Sequence, residues 1–235
     1  SDSIMVARGD MGVEVPLAHV PVIQKDLISR SNISGKPVIT ATQMLESMVR
    51  SPVPTRAEVT DVANAIYDGT DAVMLSGETS VGDYPIQAVK VTVQVAMATE
   101  PALPYEAMIR EKARQLERQT DDAISYDACR TAFQLNASLI VAFTESGSTA
   151  GRVSKYRPLS PILALTPEEG VQRRLTLRWG VIPVTVDNLK TVEDFFAKGE
   201  EQAIRAAGIE PGSLVVLVAG VPIGVPGGTN LLRVM

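Results

Sequence analysis

The chain has 235 residues, 45% hydrophobic and 21% charged, enough to bury a substantial core as one large domain or two smaller ones. With 22 Lys+Arg against 27 Asp+Glu, the formal net charge is −5, which argues against a nucleic-acid or anionic-membrane partner that would need a basic face. The single Cys129 excludes an internal disulfide and fits a cytoplasmic protein, and no apolar run approaches the roughly 20 residues a membrane-spanning helix needs.

In chain order, short apolar runs alternate with amphipathic stretches, the pattern of an α/β fold. Strands are predicted at Ser3–Ala7, Pro37–Ala41 and Asp71–Leu75, with helices at about 18–33, 57–67 and 85–98. Each strand is nearly all apolar, as parallel strands buried on both faces are. Each ends in polar residues: Arg8-Gly9-Asp10, Thr42-Gln43 and Ser76-Gly77-Glu78. In a (β/α)₈ barrel, catalytic groups sit at such carboxyl ends. Three strands cannot close a barrel, so the rest belong to another stretch of chain or the sheet is open. A strand that begins almost at Ser1, with no initiator Met, reads as a fragment.

The run TEPALPYEAMIREKARQLERQTDD (99–122) is expected to connect to a second domain, placing the boundary between residues 1–103 and 104–235. Beyond it, helices are predicted at 121–135, 148–156, 168–177 and 190–207. The intervening strands are expected at Ser138–Phe143, Pro161–Leu165, Val181–Val186, Ser213–Ala219 and near Asn230–Val234, a small doubly wound sheet.

Arg8-Gly9-Asp10 is not read as an adhesion tripeptide, since it follows a buried strand. A carboxylate at a strand end beside a glycine suits Mg²⁺ shared with substrate oxygens; the plainer alternative is a turn capped by Asp10, with Arg8 paired to a surface carboxylate. Thr42 either contacts a bound carboxylate or proton-carrying water, or caps a following helix. Thr55 and Glu58 have the spacing of a capping box, with Arg56 in the first helical turn. In the second half, Thr144-Glu145-Ser146-Gly147-Ser148-Thr149 lies between strand and helix and has the make-up of a phosphate cradle or of a capped helix start. His19, Cys129 and Trp179 are read as surface or packing residues, and the run from Arg110 to Arg114 as a solvated helix face.

VARGDMGVE, ITATQMLESM, PTRAEVTDVANAIYDGTDAVMLSGET and GDYP together resemble the pyruvate kinase family, almost continuously over residues 1–100, and the remainder resembles that family's C-terminal domain more loosely. Met11 stands where the family usually has Leu, a volume-conserving change. The resemblance implies the last part of a (β/α)₈ barrel followed by a small doubly wound α/β domain. It also implies phosphoryl transfer from phosphoenolpyruvate to ADP, giving pyruvate and ATP.

By the same resemblance, Asp10 is a ligand of Mg²⁺ or Mn²⁺, and the backbone of Ala7, Arg8, Gly9 and Asp10 cradles the substrate carboxylate. Thr42 contacts substrate and takes part in protonating the enolate. Arg56 reaches across a subunit interface of a homotetramer. A phosphorylated effector is expected on Thr144, Ser146, Gly147, Ser148, Thr149 and, in the late loop 223–230, Gly227. That loop lacks basic residues, which leaves a sugar monophosphate or AMP as candidates. The family's other metal-binding Glu, its catalytic Lys and its K⁺ ligands precede this stretch, so the chain alone is expected to be inactive. The competing expectation is a stand-alone effector-binding or interaction module.

Overall fold

A computed structural model describes residues 1–115, 117–223 and 228–235. The chain divides into two units, Ser1–Leu103 and Pro104–Met235.

In the first unit, β1 (Ile4–Ala7), β2 (Val38–Ala41) and β3 (Ala72–Met74) form a parallel sheet in that order, with Ile4 opposite Val38 and Ile39 opposite Ala72. Residues from Arg8 do not turn away as a loop: α1 (Arg8–Glu14) follows β1 directly. A single 3₁₀ turn, Leu17–His19, then leads into α2 (Val20–Ile33). After β2 no helix starts at Thr42; the next helical residues are the 3₁₀ turn Glu46–Val49. α3 (Arg56–Asp68) opens on a complete capping box, with Glu58 N–H donating to Thr55 and Thr55 N–H donating to Glu58. It closes on Gly69 at φ +93°, where a β-carbon would lie 2.6 Å from the Asn32 amide. Thr70 and Asp71 then set the register of β3: the Thr70 hydroxyl bonds the Val38 carbonyl and Asp71 accepts from Val38 N–H. The short α4 (Gly77–Ser80) and long α5 (Pro85–Thr99) complete the unit.

The second unit begins with α6 (Tyr105–Lys112), within the stretch read as a connector, and α7 (Thr120–Gln134). The strands β4 (Leu139–Phe143), β5 (Ile162–Thr166), β6 (Val181–Thr185), β7 (Val215–Ala219) and β8 (Leu231–Val234) form one sheet, ordered β6-β5-β4-β7-β8. Only β8 runs antiparallel. β4, β5 and β7 are buried along their whole length, as their unbroken apolar sequences require. α7, α8 (Ser148–Lys155) and α9 (Glu169–Leu175) cover one face, packing Cys129, Val153 and Leu175 on Ile140 and Val218. α10 (Val192–Arg205) covers the other, with Phe195 and Ala203 against Leu139, Leu165 and Leu217. Strand order reverses between β4 and β7, the point at which open α/β sheets receive ligands.

Candidate functional site

The first candidate site is the carboxyl rim of the three-stranded sheet. Just past β1 the Gly9 N–H donates to Thr42 Oγ1 (2.9 Å), so one of the unpaired N–H groups of α1 is satisfied by the residue that follows β2. Arg8 crosses to the same place: Nη2 donates to the Thr42 carbonyl (2.6 Å) and the Gln43 carbonyl (3.1 Å). Those carbonyls face Arg8 because Thr42 and Gln43 both adopt left-handed φ, +70° and +53°. A β-branched residue rarely holds that conformation without compensation. Arg8 is itself fixed by an ion pair with Asp61 on α3. The carboxylate pairing expected for Arg8 is present: its own side chain is 12% exposed and that of Asp61 36%.

Asp10, in the first turn of α1, is exposed and makes no hydrogen bond or ion pair among the described residues. Its carboxylate is open to a ligand, which fits a Mg²⁺ that takes one or two protein carboxylates and fills the rest of its shell with substrate and water oxygens. Among the described residues no three His, Cys, Asp or Glu side chains converge as a complete metal site would require. The Thr42 hydroxyl donates to the Ala41 carbonyl (2.6 Å) while accepting from Gly9. Arg56, the first residue of α3, is exposed.

Two carboxylates hold the loop after β2 in place. Glu78 is fully buried and accepts from Leu45 N–H (2.9 Å) and Ser76 N–H (2.7 Å), tying that loop to the end of β3. Glu58 accepts from the backbone and hydroxyl of both Ser47 and Thr55. Burial pushes its carboxyl up, but these bonds outweigh it and hold Glu58 below its ordinary value of 4.5. Neither Asp61 nor the second grip of Glu58 on Ser47 was singled out from sequence. Asp61 has a helical spacing of five from Arg56, which offers no sign that it meets a strand end 53 residues earlier.

The second candidate site lies at the carboxyl end of β4. Gly147, at φ +92°, turns the chain into α8, and the buried Thr144 hydroxyl accepts its N–H (2.9 Å). Ser146 and Ser148 are exposed, with hydroxyls 3.1 Å apart at the helix start. Thr149 points elsewhere: it is buried and its hydroxyl accepts from Thr229 Oγ1 (3.0 Å). That bond joins the β4 loop to the segment before β8, so both expected effector loops meet here. Gly227 lies outside the described residues.

The far end of α8 is anchored: Lys155 bonds Asp122 (3.1 Å) and Ser154 donates to the Trp179 carbonyl (2.8 Å). Burial pushes Asp122 up, but hydrogen bonds from Glu117 N–H and Lys155, together with the Lys155 charge, hold it below the usual carboxylate range. Cys129 is fully buried beside α8, and burial pushes its thiol up. Trp179 packs with Arg157 over its ring.

Comparison with known proteins matches residues 1–89 to the family description "Pyruvate kinase, barrel domain" and residues 122–235 to "Pyruvate kinase, alpha/beta domain". A pyruvate kinase of Clostridium acetobutylicum is 50% identical over 234 residues, covering 100% of this chain and 50% of that protein. One from Geobacillus stearothermophilus is also 50% identical over 234 residues, with 100% and 40% covered. One from Staphylococcus haemolyticus is 51% identical over 233 residues, with 99% and 40% covered. The chain therefore spans about half the length, or less, of these curated relatives. The crystal structure of a pyruvate kinase from Cryptosporidium parvum superposes with a TM-score of 0.94 at 41% identity, covering 100% of this chain and 47% of that one.

Proposed function

Because the chain belongs to the pyruvate kinase family, we propose that it supplies one side of a phosphoryl-transfer site at which phosphoenolpyruvate, ADP and a proton become pyruvate and ATP. The observation that carries this is the tie between strand ends: Gly9 N–H and Arg8 both grip Thr42, so Asp10 and Thr42 are held on one rim. Phosphoryl transfer is mainly positioning and charge neutralisation, and a fixed rim provides the first.

Asp10 would hold Mg²⁺ or Mn²⁺, which when bound neutralises charge on the substrate phosphate and carboxylate. The backbone of Ala7, Arg8, Gly9 and Asp10 lines the place of the substrate carboxylate. When the phosphoryl group has passed to ADP, the enolate left behind takes a proton at its methylene carbon. Thr42 Oγ1 hands that proton on; its O–H is free to swap the Ala41 carbonyl for the substrate because an intramolecular hydrogen bond contributes only about 1 kcal/mol net. K⁺ ligands are assigned to none of these residues.

Arg56 is assigned to a subunit contact of a cytoplasmic homotetramer. Ser146, Gly147 and Ser148 receive the phosphate of a sugar monophosphate or AMP, with Thr144 and Thr149 shaping the loop beneath; Gly227, assigned by the family resemblance, lies outside the described residues. Among the described residues no helix is long and apolar enough to cross a membrane.

The chain alone is expected to give no pyruvate from phosphoenolpyruvate and ADP. A chimera in which it replaces the matching half of the Clostridium acetobutylicum relative is expected to form pyruvate in a lactate dehydrogenase-coupled assay. A folded but inactive chimera overturns the reading. For the effector, calorimetry with glucose 6-phosphate and AMP is expected to give saturable heat, lost in Ser148→Ala; no heat with either removes the assignment.

A further inference from the structure

A cleft of about 710 Å³ opens at the carboxyl ends of β4, β5 and β6, on the face covered by α10. One wall carries a carboxylate from each of three successive loops: Glu145 after β4, Glu168 after β5 and Asp187 after β6. The opposite wall is one stripe of α10, Lys198, Gln202 and Arg205, whose spacing of four and three puts them on a single helix face. No ion pair crosses the cleft among the described residues. Lys198 turns to Glu201 on its own helix (2.8 Å), and the Arg205 charge also lies near Glu201, while Glu145, Glu168 and Asp187 have no side-chain ion pair among the described residues. Gln202 is only 6% exposed; its amide nitrogen is spent on Glu201, while its carbonyl oxygen accepts nothing among the described residues.

The arrangement selects against several ligands. A bare cation is disfavoured because these acidic side chains do not converge on a point as a metal site does. A phosphorylated sugar would add two negative charges to a lining of three acids against two bases. An uncharged ligand leaves both walls uncompensated. A molecule with an anionic end and an excess of positive charge satisfies both walls and cancels the lining's net negative charge, and clefts of this size routinely take small organic ligands.

We infer that this cleft binds a basic α-amino acid, with its carboxylate on Arg205 and Lys198 and its ammonium and side-chain cation along Glu145, Glu168 and Asp187. The cleft is not lined by the Ser146–Ser148 cradle at the start of α8, yet both share the loop that follows β4.

The test is calorimetry on the 235-residue chain at low ionic strength, where surface charges are least screened. L-Arginine and L-lysine are titrated against agmatine, which lacks the carboxylate, L-glutamate and glucose 6-phosphate. Saturable heat is expected for arginine or lysine, with agmatine and glutamate each weaker by roughly tenfold or more, the worth of one charge-assisted contact. Arg205→Gln is expected to bring arginine down to the agmatine level without changing agmatine. Asp187→Asn should weaken both. Asp187 has no side-chain ion pair among the described residues and Arg205 meets only the exposed Glu201, an interaction screened by solvent, so both variants are expected to keep the parent's thermal midpoint. Absence of saturable heat with either basic amino acid, agmatine binding as tightly as arginine, or binding indifferent to both substitutions overturns the inference. So does glucose 6-phosphate binding that Arg205→Gln abolishes.

Discussion

Thr42 and Gln43 hold left-handed backbone angles that a β-branched residue and its neighbour would not choose, and four donated hydrogen bonds from Arg8 and Gly9 keep them there. Glu58 and Glu78 perform the same service further along the loop. The pH behaviour of Glu58 is a consequence that can be measured. A carboxylate held below its ordinary value adds stability above about pH 4.5, and that contribution is lost as pH falls through its folded-state pKa. Glu58→Gln is therefore expected to lower stability at pH 7 by about 1–2 kcal/mol, the range for losing a helix cap, and to flatten the acid limb of the stability curve. Urea unfolding at pH 7 and near pH 4 checks this; parallel curves for parent and variant at both pH values would exclude the effect. At this scale the sequence disclosed residue type and local spacing. Asp10, Thr42 and the Thr55–Glu58 box stood out because each lies beside its strand end or helix start. Asp61 and the inward turn of Thr149 did not, since both depend on partners 53 and 80 residues away.

Among elements, α8 joins the two ends of the second unit's chemistry, with a serine-rich loop at its start and Lys155 anchored to Asp122 at its end. The hinge is Gly147. A β-carbon there would meet Val171 at 3.3 Å and Leu175 at 3.4 Å, and φ of +92° is strained for any other residue. Gly147→Ala is expected to cost about 1–2 kcal/mol and to weaken phosphate-ligand binding along with stability. Thermal unfolding and calorimetry read both; an unchanged midpoint would mean the loop tolerates another conformation. Strand positions were legible to within two residues, because fully buried parallel strands write themselves as unbroken apolar runs: β4, β5 and β7 are the cases. α1 was not, since Arg-Gly-Asp-Met-Gly carries no helical periodicity, and its first turn is tied by Gly9 N–H to Thr42, 33 residues away. The cap alternative for Thr42 fails because no helix follows β2 directly; the next helical residues are the 3₁₀ turn Glu46–Val49.

For the whole molecule, the two units differ in how completely they bury their own surfaces. The five-stranded sheet of residues 104–235 is covered on both faces. The three-stranded sheet of residues 1–103 leaves one edge of β1 and one of β3 unpaired among the described residues. α5 there exposes Ile86, Val89, Val93 and Met97, from 47% to 71%, along one side of the helix. Amide exchange is expected to be slowest in β4, β5 and β7 and measurably faster in β1 and β3. Equal protection in both sheets would contradict that difference. The fold class was legible because the apolar runs and their polar termini recur with α/β spacing. The electrostatic character of the α10 cleft was not, because its five charges come from four separate stretches that only the sheet topology brings together.

The central claim is that the rim built by Asp10 and Thr42 is half of a phosphoryl-transfer site. The most direct measurement is the rate of pyruvate formation by the Clostridium chimera, with and without Asp10→Ala, at saturating Mg²⁺. Loss of the carboxylate proposed to hold the ion is predicted to lower the rate by roughly a thousandfold, matching about 4 kcal/mol of lost charge stabilisation. A folded Asp10→Ala chimera within about threefold of its parent, a difference of less than 1 kcal/mol, would contradict the account.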